Sequence, residues 1–287
     1  MAVLSARDTT LLAYDVIGDG PPLVCLPGGP MQDAGYLGDL GGLSAHRRLV
    51  LLDPRGTGRS ATPEDLTSCR CDRLVDDVEA LREHLGLDRI DLLGHSAGAN
   101  IAVSYAARHP DRVARLVLVT PSTFAVGITT TAQHRRDVLS GRANEPWFEQ
   151  VSTAFEKIAA GQGGADDWDA IVPFTYGRWD EAARAHHAAQ EGRRNPEAAA
   201  AFTADGAFDP PTTRAALAAF AAPVLLLGGE LDMSIPPPVV AEFADLFPNA
   251  TLAAQPGAGH FPWLDDPARF TGTVTAFLAG RTAARPA

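Results

Sequence analysis

The sequence predicts an α/β fold, a mostly parallel central sheet flanked by helices and interrupted by an inserted helical cap. Three observations predict it. Short apolar runs alternate with amphipathic segments up to about Thr120, the signature of βα units. Strand-like runs then cease between Pro121 and about Pro211, where helical segments are separated by Gly, Pro and charge clusters. They return at Pro223–Leu227 and Ala250–Ala254. One core from residues 1–120 and 212–287, with residues 121–211 as the cap, accounts for all three.

Taken in order, Thr10–Ile17 and Pro22–Leu26 read as early strands, joined as an antiparallel hairpin edge around Gly18-Asp19-Gly20-Pro21. Arg48–Asp53 contains Leu49-Val50-Leu51-Leu52, solidly apolar, and reads as a strand buried on both faces. Cys71–Leu85 has helical spacing, with Leu74, Val78, Leu81 and Leu85 on one stripe. Ile90–Leu93 is the next buried strand, Ala97–Arg108 the helix behind it, and Val113–Thr120 a further strand. Helices are expected at Pro237–Leu246 and Pro267–Ala279, and the tail Arg281–Ala287 is expected to fray.

Composition narrows the function. The chain of 287 residues carries 35 acidic against 24 basic side chains, a net charge of -11. A nucleic-acid binder needs clustered Lys and Arg to displace counterions, and an anionic membrane surface asks for the same, so neither partner is expected. The most apolar stretch, Ala215–Gly229, is broken by Pro223 and too weak to span a bilayer. Met1–Asp8 has no basic segment followed by an apolar one, so no secretory signal is expected. Cys25, Cys69 and Cys71 are an odd set, and Cys69-x-Cys71 lacks the second ligand pair of a zinc site. Reduced, incidental thiols in a cytoplasmic protein are the expectation, with no metal and no cofactor. Oligomeric state is not legible.

The strongest local signal is Gly94-His95-Ser96-Ala97-Gly98, where a buried strand ends and a helix begins. That context is the one a nucleophile elbow requires. A turn this tight strains its apex, and side chains two positions away on either side would collide with neighbouring elements. It lifts Ser96 Oγ above the sheet edge and sets a helix N-terminus under developing negative charge. A serine that merely caps a helix is the plain alternative.

A hydroxyl needs a base to attack at neutral pH. Of eight histidines, His260 stands in Pro256-Gly257-Ala258-Gly259-His260-Phe261, directly after the last strand. His95 adjoins the serine but should point away from it. His134, His186 and His187 fall in the insertion, and His46, His84 and His109 on or beside surface helices. The acid that orients the base should follow a strand and precede the histidine. Gly228-Gly229-Glu230-Leu231-Asp232 satisfies that order; Asp232 is favoured and Glu230 is its rival. Asp265 and Asp266 lie beyond His260 and read as an N-cap for the last helix. An oxyanion hole needs two N–H groups aimed at one point: Ala97 supplies one, and Gly29 of Pro27-Gly28-Gly29-Pro30 the other, with Gly28 as rival.

In this order Gly28-Gly29-Pro30, Asp53-Pro54-Arg55-Gly56-Thr57-Gly58-Arg59-Ser60, Gly94–Gly98, Gly228–Asp232 and Gly257–His260 resemble the α/β-hydrolase superfamily. The resemblance covers roughly residues 1–120 and 212–287, and the first two segments are similar to the proline iminopeptidase branch. It implies that Asp53 and Arg55 fix the loop beneath the site rather than do chemistry. The chain departs from that branch in three places. Pro27 replaces the histidine before the two glycines, Ala97 replaces the tryptophan after the serine, and Pro146-Trp147-Phe148-Glu149 only echoes the Trp-x-x-Trp-Glu pattern of its lid. The reaction class survives these changes; peptidase specificity is not implied.

The expected function is therefore that of a serine hydrolase acting on an ester or amide bond of a small molecule. Ser96 is the nucleophile, His260 the base and Asp232 its orienting acid. Trp147, Phe148 and Trp179 of the insertion are candidate substrate contacts, although a private helical core would use the same residues. A dehalogenase or epoxide hydrolase would need aspartate at position 96. A C–C bond hydrolase or lyase could use the same residues, and a non-catalytic ligand-binding protein could keep the fold.

Overall fold

The computed structural model of the chain describes residues 2–281. Of the tail expected to fray, Arg281 is described, its amide donating to Ala276 O at 2.9 Å, and the rest lies outside the described residues. Strands β1 (Ala2–Ser5), β2 (Leu11–Ile17), β3 (Pro22–Leu26), β4 (Arg48–Leu52), β5 (Ile90–His95), β6 (Val113–Val119), β7 (Val224–Gly229) and β8 (Ala250–Gln255) make one sheet. Their order is β1-β2-β4-β3-β5-β6-β7-β8. The pairs β1–β2 and β2–β4 are antiparallel, and every pair from β4–β3 to β7–β8 is parallel.

β3, β4 and β7 read as near-continuous apolar runs because both faces are covered, β5 and β6 are interrupted by Asp91 and Arg115, and the edge strand β8 is only partly buried. Val24, Leu92 and Leu226 bury into one layer, while their chain neighbours Leu23, Leu93 and Leu225 bury into the other. Helices α1 (Cys71–His84) and α2 (Gly98–Arg108) close the first layer. Of the expected stripe, Leu74, Val78 and Leu81 of α1 are buried and Leu85, just past the helix end, is half-buried; Asp72 in the first turn and Arg82 and His84 in the last suit the helix dipole.

Between β6 and β7 the chain is helical: α3 (Ala132–Ser140), α4 (Phe148–Ala159), α5 (Ala165–Ala170), α6 (Val172–Thr175), α7 (Glu181–Ala188), α8 (Pro196–Phe202) and α9 (Pro210–Ala218). Leu139, Val151, Phe155, Ile171 and Phe174 form a small core of their own there, joined by Met233 from the loop after β7. Helices α10 (Pro237–Ala244), α11 (Pro262–Asp265) and α12 (Pro267–Leu278) complete the chain, and α12 closes the second layer with Phe270, Val274 and Phe277.

Two features differ from expectation. β2 and β3 do not form a hairpin, because β4 lies between them, antiparallel to β2 and parallel to β3. β4 is apolar on both faces and gains most inside the sheet, whereas β2 exposes Leu11 and Val16 and tolerates a place nearer the rim. The Gly18 turn instead packs on the chain entering β4; a Cβ there would lie 2.1 Å from Ser44 O. β1 was not among the expected strands. It has four residues, of which Leu4 alone is buried, too few for an alternation to stand out.

Among the described residues no helix is long and apolar enough to cross a membrane. Cys25, Cys69 and Cys71 are free and buried, and burial pushes all three thiols up, Cys69 to about 11, which leaves them unreactive at neutral pH.

Candidate active site

The loops after β3, β5, β7 and β8 meet at the carboxyl edge of the sheet, where open parallel sheets gather functional groups. Ser96 occupies the two-residue turn between β5 and α2 with φ of 51°. For a residue other than glycine that conformation costs about 1–3 kcal/mol, so the surroundings must impose it. They do so by close approach. A Cβ on Gly94 would lie 2.8 Å from Ala99 Cα, and one on Gly98 would lie 2.4 Å from Leu26 O. Any larger residue at either position would push helix, strand and loop apart.

His260 Nε2 lies 2.9 Å from Ser96 Oγ, and its Nδ1 lies 2.9 Å from Asp232 Oδ2. Asp232 is fully buried, and its other oxygen accepts from the backbone N–H groups of Ser234 (2.8 Å) and Ile235 (3.2 Å). With Asp232 as acceptor, Nδ1 carries the imidazole proton and Nε2 presents its lone pair to the serine hydroxyl. Glu230 points elsewhere and accepts from Gly257 N–H at 2.8 Å. The structure therefore brings Ser96, His260 and Asp232 into one line and leaves Glu230 outside it.

The His260 loop is held from three sides. Its N–H donates to Thr175 O at 2.8 Å, and its carbonyl accepts from Thr120 Oγ1 and His95 Nε2, each at 3.0 Å. Asp265 accepts from the N–H groups of Gly259 (2.8 Å), Arg178 (3.2 Å) and Gly177 (3.3 Å), stitching this loop to the insertion. Burial raises the Asp265 pKa above the usual carboxylate value. Of the two aspartates expected to cap the last helix, Asp266 does so, accepting from Arg269 N–H at 3.0 Å, and Asp265 does not. The insertion approaches so closely that a Cβ on Gly259 would lie 2.5 Å from Thr175 O.

His95 points away from Ser96 Oγ, as expected, yet it is not idle. A carbonyl can only accept, so His95 Nε2 carries the proton given to His260 O, and Nδ1 accepts from the Tyr36 hydroxyl at 2.6 Å. Tyr36 Oη in turn accepts from Gly28 N–H at 2.7 Å. Burial, reinforced by nearby His260, holds His95 well below the ordinary histidine pKa, and burial pushes the Tyr36 hydroxyl up, so both stay neutral. This chain of donors commits Gly28 N–H to Tyr36. Gly29 instead lines the cavity of about 280 Å³ that contains Ser96, His260, Gln32 and Gln190. Ala97 sits at the start of α2, where a backbone N–H has no acceptor within its own helix.

Beneath the site Asp53 accepts from Ala34 N–H (2.9 Å) and Arg59 N–H (3.2 Å), while Arg55 reaches Asp77 (2.8 Å) and Asp8 (2.6 Å). These contacts tie loops together and stay clear of Ser96.

The aromatic candidates of the insertion do not reach the Ser96 cavity. Trp147 packs on Phe174 with the Arg142 guanidinium over its ring, and Phe148 joins the same small core. Trp179 packs on Tyr176 and His187. The apolar area of Trp147 and Phe148 is used inside the insertion, which a bundle of short helices needs for its own stability, and Trp179 packs against the second layer of the main core. The insertion residue that lines the cavity is Gln190, bonded to Gln32 at 3.1 Å. Sequence reasoning did not single out Tyr36, Gln32 or Gln190; no local pattern marks them. Among the described residues no cluster of side chains is arranged to hold a metal ion.

Comparison with known proteins bears on this arrangement. The family model of the alpha/beta hydrolase fold matches residues 21–267. A proline iminopeptidase from Heyndrickxia coagulans is 35% identical over 112 residues, 39% of this chain, and the chain spans 39% of that protein's length. A Caulobacter sp. (strain K31) protein named as a candidate carbamate hydrolase is 30% identical over 247 residues, 84% of each chain. The crystal structure of a proline iminopeptidase from Mycobacterium smegmatis superposes with a TM-score of 0.74 at 21% identity, covering 98% of both chains. With its sheet order, its turn at Ser96 and a family match over most of its length, this chain belongs to the alpha/beta-hydrolase fold family.

Proposed function

We propose that the chain is a serine hydrolase that cleaves an ester or amide bond of a small molecule through an acyl-enzyme. His260 Nε2 takes the Ser96 proton as Oγ adds to the substrate carbonyl carbon. The bond from Nδ1 to Asp232 holds the ring in that tautomer and stabilises the imidazolium that forms. The N–H groups of Ala97 and Gly29 receive the oxyanion, and Gly28 is passed over because its N–H is given to Tyr36. Collapse of the tetrahedral intermediate returns the proton from His260 to the leaving alcohol or amine. Water, deprotonated by the same imidazole, then attacks the acyl-enzyme, releases the acid and restores Ser96.

The observation that carries this reading is the unbroken line Asp232–His260–Ser96, with both contacts at 2.9 Å, ending on a serine held at positive φ. Residues 121–211 act as the cap over the 1–120 and 212–287 core. Gln190 in the Ser96 cavity and the bond from His260 N–H to Thr175 O support that role. Relatives named for carbamates and for proline peptides extend the candidate substrates beyond simple esters. Three unpaired thiols fit action in the reducing cytoplasm.

The test uses a fluorophosphonate probe and a panel of p-nitrophenyl esters and aminoacyl anilides on the purified chain. Ser96→Ala should abolish labelling and cut turnover roughly 10⁴-fold or more. A variant that keeps near-parental turnover would overturn the assignment.

A further inference from the structure

A second cleft, of about 540 Å³, opens beside the Ser96 cavity, and the two share Ser234. Its walls are mostly apolar: Phe155, Ile158, Trp168, Ile171 and Val172 from the insertion, with Met233 from the loop after Asp232. The charged side chain lining it is Arg135 of α3. Its neighbour Arg136 pairs with Glu156, with both contacts at 2.8 Å. Arg135 has no such partner: among the described residues no carboxylate lies within ion-pair distance of it, and its hydrogen bond to Thr130 O is long, at 3.4 Å. Burial lowers its pKa, opposed by the charge of Asp232.

A half-buried guanidinium with no carboxylate in contact, offset only by the through-space charge of Asp232, leaves part of its desolvation cost uncompensated. It becomes favourable when a ligand brings the missing anion, because a carboxylate accepts two parallel N–H bonds from the planar fork. The net charge of -11 gives anions no long-range attraction, so any preference for one must arise by contact.

We propose that this cleft receives the far end of the substrate attacked at Ser96, an apolar chain ending in a carboxylate that pairs with Arg135. The substrate class is then a half-ester or half-amide of a dicarboxylic acid. The inference rests on the serine-hydrolase reading. It competes with a role for Arg135 as a mere counter-charge to Asp232.

Mono-p-nitrophenyl adipate and its methyl ester share chain length and leaving group and differ in the terminal charge. The parent should prefer the free acid by roughly 10- to 100-fold in kcat/KM, carried mainly by KM. Arg135→Gln should bring the ratio near one, and Arg135→Lys should restore part of it. A parental ratio near or below one overturns the proposal whether or not the variants fold. So does Arg135→Gln lowering both substrates by one factor, as a counter-charge role requires. Fluorophosphonate labelling separates the two readings. A parent that labels but shows no preference loses the carboxylate site alone, whereas one that neither labels nor cleaves loses the serine-hydrolase reading and this one with it.

Discussion

The turns at the carboxyl edge of the sheet and the helical insertion above them hold their functional groups by different means. At Ser96 the backbone itself dictates identity, since Gly94 and Gly98 leave no room for a Cβ and the apex must accept positive φ. In the insertion, among the described residues, only glycines adopt positive φ, and no side chain that faces a cavity sits on such a backbone. Its large side chains fill a private core or wall the apolar cleft, and the polar groups it offers to the cavities, Gln190 and Arg135, sit on ordinary helical or loop backbone. The contrast teaches that chemistry tied to backbone strain leaves a local trace, while recognition by side chains on regular helices leaves almost none.

Three experiments bear on that contrast, in falling order of effect. Asp232→Asn should cost roughly 10⁴-fold in kcat with the fold intact, because an amide no longer fixes the His260 tautomer. Glu230→Gln, assayed beside it, should stay within about 2-fold, since position 230 touches neither His260 nor Ser96 and the amide oxygen can still accept from Gly257 N–H. Equal losses would mean that the acid has been misassigned.

Phe174→Ala should lower stability by about 3–5 kcal/mol, read by chemical denaturation, because Phe174 is fully buried in the insertion's own core. Its effect on kcat for a small ester should be far below that of Asp232→Asn. A comparable loss of kcat without a loss of stability would erase the distinction between the two regions.

The smallest effect concerns pH. In the unfolded chain His95 takes up a proton as pH falls through about 6.5, whereas in the folded chain it resists until well below that value. The unfolded state then binds more protons, so stability falls with pH from about 6.5 downward, by at most ~1.4 kcal/mol per pH unit for one histidine. His186, also held below its ordinary value by burial, adds to the same slope. Tm measured from pH 7.5 to 5.5 should drop in the parent and drop less steeply in His95→Gln. Identical slopes would show that His95 is not held neutral by the fold.

Much of this was legible beforehand for identifiable reasons. β4 and β7, and β5 but for Asp91, stand out because burial on both faces leaves apolar runs; Ser96 and Asp232 follow such runs beside glycines, whereas His260 follows the half-exposed edge strand β8 and stands out by the glycines before it. The sheet order was not legible: the short link between β2 and β3 suggested a hairpin, and only competition for interior places sends β4 between them. Trp147, Phe148 and Trp179 attracted attention by size, yet size serves a helical core as readily as a ligand. Tyr36 and the structural use of His95 depend on contacts between residues 59 positions apart, which no window along the chain reveals.

The amide of His260 has its own implication. Because that N–H is bonded to Thr175, which belongs to the insertion, the insertion cannot move outward at residue 175 without breaking the bond or dragging the imidazole along. Admission of a molecule by such a movement and readiness of the base to act on it are therefore mechanically tied. Where the bond outlasts such a movement, the loop carrying His260 is drawn from Ser96 as the gap widens; where the bond gives way, the base keeps its place and its amide loses its partner.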